Sequence, residues 1–477
     1  MKIAVIGSGI SGLSSAYFIQ EYSEHKVTLY EKGDYFGGHT NTAEHITEDG
    51  DKVSIDTGFI VFNELNYPNF LKFLSLLKVD YIPSVMSFAV SKQHGNLEWS
   101  GTNLLTLFCQ PKNLLNLRFY RMIYDIMRFN YLAPRYLTTN FEWTINQYLT
   151  KNQYGPGFIQ DYLIPMSAAI WSTSPDKCFM EFPARTLIQF MLNHCLLQVE
   201  GRPEWKTIKN GSQSYVSKVL EKLDDKRLNC AIEEVKPVIN EGRNQVLVKA
   251  KDGSEEYFDH VIMATHGDQS LELLGANASV NERYILSKVK YSENIAFLHK
   301  DETLMPINKL AWSSWNYICN EKYEGSNICL TYWMNILQSI DVSKYSNFFV
   351  TLNPTIPPRK DSIIKQVVYH HPIYSMELIE AQQQLNLIQN QPDRQLSFVG
   401  AWTGYGFHED GLLSSLKVLK NLNIELPFQV DEEPAKVVPS SSLSIIHLIF
   451  TSFFMTIDFF IIYLLLPLLA IFNVKNV

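Results

Sequence analysis

The chain has 477 residues, 46% of them hydrophobic and 19% charged, with a formal net charge of −8. That is enough length for two or three structural units around a large core, and the acidic balance excludes a nucleic-acid binder. Six cysteines (Cys109, Cys178, Cys195, Cys230, Cys319, Cys329) form no CxxC and no metal-ligand spacing, and no signal peptide precedes the first strand; we expect free thiols, no bound metal and a reducing, cytosol-facing domain.

In chain order, residues 2–6 read as a strand, Gly7-Ser8-Gly9-Ile10-Ser11-Gly12 as a glycine-rich turn opening a helix, and residues 26–30 as a second strand that ends at Glu31, 19 residues past Gly12. This is the dinucleotide fingerprint in its full context. Gly7 allows the tight turn, Gly9 lets backbone approach a pyrophosphate, and Gly12 lets the helix pack on the strand. The helix N-terminus offers N–H groups to phosphate, and Glu31 offers a carboxylate to ribose hydroxyls. No second GxGxxG appears. A glycine pair, Gly37-Gly38, follows Glu31 and Lys32 by a few residues and precedes His39 and Thr40.

Residues 104–136 are rich in Leu, Phe, Tyr and Met, with Arg118, Arg121, Arg128 and Arg135 dispersed among them. Such a helix suits a membrane-surface patch, and equally a core helix with a solvated face. Residues 159–171 are apolar enough to line a tunnel or to be core. His370-His371 reads as a strand end rather than a metal site. Residues 396–402 read as a strand ending in Gly400-Ala401, and Asp410-Gly411-Leu412 as the cap of a last apolar helix. Residues 429–442 form a Pro/Ser-rich linker. Residues 443–472 are almost wholly apolar around Asp458; as helix they would span about 45 Å against a ~30 Å hydrocarbon core. We expect a C-terminal membrane anchor, as one tilted span or a hairpin turning at Asp458, with the catalytic domain facing the cytosol.

Five stretches together resemble one family: 37–42, 56–63 with 66–69, 311–317, 331–338 and 400–411. They look like the FAD-dependent amine oxidase and phytoene desaturase superfamily. Within it they are closest to a predicted NAD/FAD-binding flavoprotein family that accompanies cyclopropane fatty-acyl synthases. The similarity covers residues 1–426. It implies an α/β fold in which a Rossmann-type FAD-binding domain (1–63, 206–275, 391–428) is interleaved with an α+β substrate domain (64–205, 276–390), to which the linker and the transmembrane segment are added. It implies non-covalent FAD, with Gly37 and Gly38 wrapping the diphosphate and His39 where an arginine is usual. Gly58 and Phe59 belong to the same motif. Val235 falls in the strand whose backbone grips adenine, and Gly400, Ala401, Asp410, Gly411 and Leu412 in the strand, turn and helix that point at the flavin pyrimidine.

The chemistry is then hydride transfer to flavin N5. The leading expectation is an FAD-dependent oxidase or desaturase of a lipid, a fatty-acyl chain, with an acyl-modifying enzyme as partner. Tyr67, Trp333 and His408 are expected to line the flavin face, with His408-Glu409 able to move protons and Lys309 in the place of the amine oxidases' lysine. The alternatives are an amine oxidase releasing hydrogen peroxide, with Trp402, Tyr405 and Phe407 as its aromatic walls; a double-bond reductase or isomerase; and a non-catalytic flavin-retaining partner protein.

Overall fold

The computed structural model describes residues 1–47, 49–171, 182–198, 202–319, 329–432 and 445–460. Its first layer is a five-stranded parallel sheet in the order Asp225–Arg227, Lys26–Tyr30, Lys2–Ile6, His260–Met263, Leu396–Phe398. The central strand, Lys-Ile-Ala-Val-Ile, is apolar on both faces because both are covered, as a parallel sheet with helices on each side requires. Val5 sits between Leu29 and Ile262. Helices Ile10–Tyr22 and His408–Asn421 pack on one face and join through a Ser15–Ser415 hydroxyl contact of 2.8 Å. A three-stranded antiparallel ribbon, Ile232–Asn240, Arg243–Ala250 and Glu255–Phe258, covers the other. Five strands from distant parts of the chain thus make one Rossmann-type sheet.

The second layer is a seven-stranded sheet, ordered Ile363–Pro372, Tyr291–His299, Phe349–Leu352, Cys329–Trp333, Trp315–Cys319, Phe88–Lys92, Leu97–Ser100. All its neighbours are antiparallel except Trp315–Cys319 with Phe88–Lys92. Helices Leu117–Tyr136, Ile164–Trp171 and Ala184–Asn193 close over one face; Phe119, Phe129, Leu187 and Phe190 meet Val90, Leu330 and Val350 in a single core. Asp56 ties the layers together. Its buried carboxylate accepts from Ser212 N and Oγ, Thr42 Oγ1 and Gln338 Nε2 at 2.6–3.0 Å, and burial pushes it up to about 6.

The expected C-terminal membrane span is corrected here. Among the described residues no helix is long and apolar enough to cross a membrane. Helix Ile445–Phe460 has 16 residues, about 24 Å at 1.5 Å per residue. It lies along Leu117–Tyr136 instead, where Phe450 and Phe454 stack on Tyr131 with centroids 5.3 and 5.6 Å away. Asp458 faces neither lipid nor a hairpin turn: Arg128 Nη1 donates to it at 3.1 Å and the Tyr124 hydroxyl at 3.3 Å. The membrane localisation resting on that span falls with it. Residues 443, 444 and 461–472 of the expected segment, most of the linker, and Cys178 lie outside the described residues. Three of the arginines dispersed along the long helix are paired with acids, Arg118 with Asp161, Arg121 with Asp125 and Arg128 with Asp458, and of these only Arg128 is fully buried.

Candidate active site

The first strand ends in a turn where Gly7 takes φ +102° and Gly38, on the second glycine turn, takes φ +59°, both in the region that favours glycine. A Cβ on Gly12 would overlap the carbonyl oxygen of Gly7, whereas one on Gly9 would meet nothing within 4 Å. Gly12 is therefore a packing glycine and Gly9 borders open space. The helix that follows has no side-chain cap and no acid in its first turn, so its leading N–H groups keep their partial positive charge for a bound anion. Across the turn, Glu31 accepts from Ser8 N at 3.0 Å, Ser8 Oγ at 2.5 Å and Gly33 N at 2.7 Å; the three bonds fix the carboxylate beside the mouth of the turn.

These elements open onto one cavity of about 1580 Å³, larger than the 300–1,000 Å³ of a single small-ligand pocket. One end is walled by Gly7–Ser11, Glu31, Lys32, Gly37, Gly38, His39, Gly58, Phe59, Gly400 and Ala401. The buried Nε2 of His39 has no hydrogen-bond partner. An unpartnered nitrogen, two glycine turns in contact and an uncapped helix are what a dinucleotide diphosphate needs, so the residues present fit a dinucleotide cofactor such as FAD. The other end is an aliphatic arm. Ile123, Ile126, Met127 and Asn130 line it at helical spacing from one helix, and Tyr162, Met166 and Ile170 from the next, four residues apart. Between the ends stand Tyr67 and the edge-to-face pair Trp315–Tyr332, with centroids 5.1 Å apart.

Several expected site residues stand behind the wall. Thr40 Oγ1 meets the Tyr215 hydroxyl at 2.6 Å, and that hydroxyl meets His408 Nε2 at 2.8 Å. The His408 ring touches the cavity, but it stacks on Phe59 at 3.8 Å and burial holds it down to about 3; it stays neutral and holds three segments together. Glu409 accepts from Asn69 N, Asn69 Nδ2 and Phe70 N, capping helix Pro68–Leu77, so this pair is occupied structurally rather than free to relay protons. Asp410 accepts from Phe407 N, Gly411 packs on Ile10 and Ser11, and Leu412 is core. Trp402 and Phe407 line the cavity, whereas Tyr405 packs against Phe190 outside it.

Three expectations are corrected. Trp333 does not line the cavity: its Nε1 donates to Asn347 at 3.0 Å, while Tyr332, one residue earlier on the strand and so on the opposite face, does. Val235 is buried under the ribbon; the cavity touches Cys230, Ala231, Ile232 and Glu233 instead, a displacement that accompanies the register break between Ile232 and Glu234. Lys309 pairs with Glu302 at 2.9 Å on the exposed surface. Trp315 and Tyr332 were missed as cavity-lining residues. The four-residue spacing of Tyr162, Met166 and Ile170 was the signal available for the arm.

The NAD(P)-binding Rossmann-like domain family matches residues 5–77. A sequence comparison with functionally curated proteins gives no match. Among solved structures, the chain is similar to a CLA-producing fatty acid isomerase from P. acnes, at TM-score 0.61 and 12% identity over 88% of this chain and 98% of the other. The fold is the one shared by this isomerase, a putrescine oxidase and a cyclohexylamine oxidase. A cyclohexylamine oxidase from Brevibacterium oxydans IH-35A matches at TM-score 0.59 and 10% identity, over 88% and 99% of the two chains. A putative protoporphyrinogen oxidase from Exiguobacterium sp. 255-15 matches at TM-score 0.59 and 14% identity, over 89% and 99%. At these identities the likeness is one of fold.

The imidazoles of the cavity give a first prediction. Burial, then repulsion from His370, lowers His39 from 6.5 to about 4. The folded protein therefore binds fewer protons than the unfolded chain between these values, and His39 makes stability fall as pH drops from 6.5 towards 4. We expect the Tm of cofactor-free His39→Gln to decline less steeply over that window than that of the parent. Equal slopes, measured by thermal unfolding, would show that His39 is not held neutral.

Proposed function

We propose that this chain is an FAD-dependent oxidoreductase acting on an elongated apolar substrate, a fatty-acyl chain, at the carbon presented to the flavin. The observation that carries the proposal is the single cavity joining a dinucleotide cradle to an aliphatic arm. FAD, when bound, supplies a two-electron acceptor at N5. Gly9, Gly38 and the uncapped helix N-terminus would hold its diphosphate and Glu31 its ribose, with the start of the ribbon at Ile232 beside the adenine. Ile123, Ile126, Met127, Met166 and Ile170 would align the acyl chain and exclude water from the reacting carbon. Trp315 and Tyr332 narrow the passage between the two ends.

The arm's composition favours an acyl chain over an amine. Of the carboxylates lining the cavity, Glu31 belongs to the cradle and Glu233 to the start of the ribbon, and Glu204 shares Lys206 with Glu64 at 3.4 and 3.0 Å. An ammonium group would meet aliphatic wall, a costly place for an unpaired charge. The fatty acid isomerase and the amine oxidases share the fold equally, so the direction of the redox step rests on experiment. Flavin absorbance followed anaerobically, with long-chain fatty acids or acyl esters added, should bleach with at least one of them in the parent and ten- to a hundredfold more slowly in Ile126→Glu, at about 1.4 kcal/mol per tenfold. Dithionite should reduce both proteins. Bleaching by a primary amine, with none by acyl donors, would replace this reading with an amine oxidase.

A further inference from the structure

Four histidines from three separate elements converge on the cradle end of the cavity. His39 follows the second glycine turn, His266 stands just before helix Gly267–Leu274, and His370 and His371 lie at the end of the strand Ile363–Pro372. His39 and His371 lie edge to face with centroids 5.2 Å apart, and His266 and His370 are 6.0 Å apart. Tyr369 stacks on His39 at 4.9 Å and Tyr291 on His266 at 4.2 Å. Lys32 faces His266 from the first glycine unit, and His408 faces His39 from the last helix. The acids nearby touch only the outer member: Glu293 lies 3.7 Å from His370, and Asp268 also faces it. Among the described residues no three His, Cys, Asp or Glu are placed to hold a metal ion.

The inner members of this cluster have no acidic partner; one of their nitrogens is left without a hydrogen-bond partner and another is fixed as a donor. His39 Nε2 is buried without a partner. At His371, Asn294 Nδ2 approaches Nδ1 at 2.8 Å, and Asn294 Oδ1 is occupied by Asn353 Nδ2 at 2.6 Å. An amide nitrogen can only donate, so Nδ1 accepts and the proton of the neutral ring resides on Nε2. His371 is thus a donor without carrying charge, whereas His39 and His266 become cations only when a counter-charge arrives.

We propose that His39, His266, His370 and His371 form a proton-coupled clamp for a dinucleotide diphosphate, so that binding of the cofactor takes up protons and tightens as pH falls. The inference rests on the FAD reading above but concerns the diphosphate alone. Burial, and after it the neighbouring imidazoles, keep the inner rings neutral. A diphosphate reverses the sign of the local field and favours the imidazolium form. Affinity then falls by up to tenfold per pH unit for each proton taken up, levelling once the rings of the complex have lost their protons.

The test is titration of cofactor-free protein with FAD, ADP and riboflavin from about pH 5 to pH 8, read by flavin fluorescence quenching and, for ADP, by calorimetry. FAD and ADP should bind more weakly as pH rises, and riboflavin, which has no diphosphate, should show no such slope. His266→Gln should lower the slope by up to one proton and leave the remainder, carried by His39. His371→Gln should weaken FAD and ADP at every pH and leave the slope in place. Circular dichroism checks that each variant is folded. A flat profile for FAD and ADP in the parent overturns the clamp. ADP binding with the expected slope but no FAD binding would keep the clamp and sink the flavin reading. Absence of binding by both would sink both.

Discussion

Gly9→Glu yields a folded protein that has lost its flavin. A Cβ at this position meets nothing within 4 Å, so the backbone accepts the substitution, and the new carboxylate projects into the cavity where the diphosphate is expected. It also sits at the uncapped start of helix Ile10–Tyr22, where an acid is favourable when no anion is bound. The apo fold is thereby spared while the ligand meets like charge. The expected loss is at least a hundredfold in FAD affinity, about 2.7 kcal/mol, with a Tm within a few degrees of the parent's cofactor-free form. Gly12→Ala is the contrast: its methyl would overlap the Gly7 carbonyl, so it should fail in folding as well as in binding. Flavin content after purification and apo-protein Tm, measured on both variants, separate the two roles. A fully yellow Gly9→Glu protein would remove the cradle from this cavity.

Arg128→Ala should be among the most destabilising single changes in the chain. Arg128 is fully buried. Its guanidinium donates to Asp458 at 3.1 Å and to the carbonyl of Asn152, lies 3.6 Å from Asp125, and stacks over Tyr154 with its carbon 4.0 Å from the ring centroid. Truncation leaves two carboxylates facing one another without their shared cation, and removing one member of a buried pair costs about 3–5 kcal/mol. That is a large share of a typical 5–15 kcal/mol. Asp458→Asn should cost much less, because Asp125 still balances Arg128. Urea unfolding followed by circular dichroism compares the variants. A loss below about 1 kcal/mol in Arg128→Ala would mean that the C-terminal helix is not docked as described.

The cradle was legible because its signal is local. Gly7, Gly9, Gly12 and Glu31 fall within 25 consecutive residues, and their spacing encodes a turn, a close approach, a packing contact and a carboxylate position. The other strands of the sheet, Asp225–Arg227, His260–Met263 and Leu396–Phe398, come from far along the chain, and only the family resemblance placed the last two. Trp333 was named where Tyr332 stands because composition does not say which face of a strand points inward, and one residue reverses it. The apolar run around Asp458 was read as a membrane element because hydropathy cannot tell lipid from Tyr124 and Tyr131 on a neighbouring helix. The carboxylate's partner, Arg128, lies 330 residues away. The histidine cluster is assembled from residues 39, 266, 370 and 371, and no sequence pattern links them.

The measurement that bears most directly on the central claim is the identity and amount of dinucleotide released when the purified full-length chain is denatured. Chromatography and mass spectrometry of the supernatant should find FAD, close to one per chain, with no flavin left attached to the protein. Release of a nicotinamide dinucleotide in its place, or protein that binds no added FAD at any pH, would contradict the account.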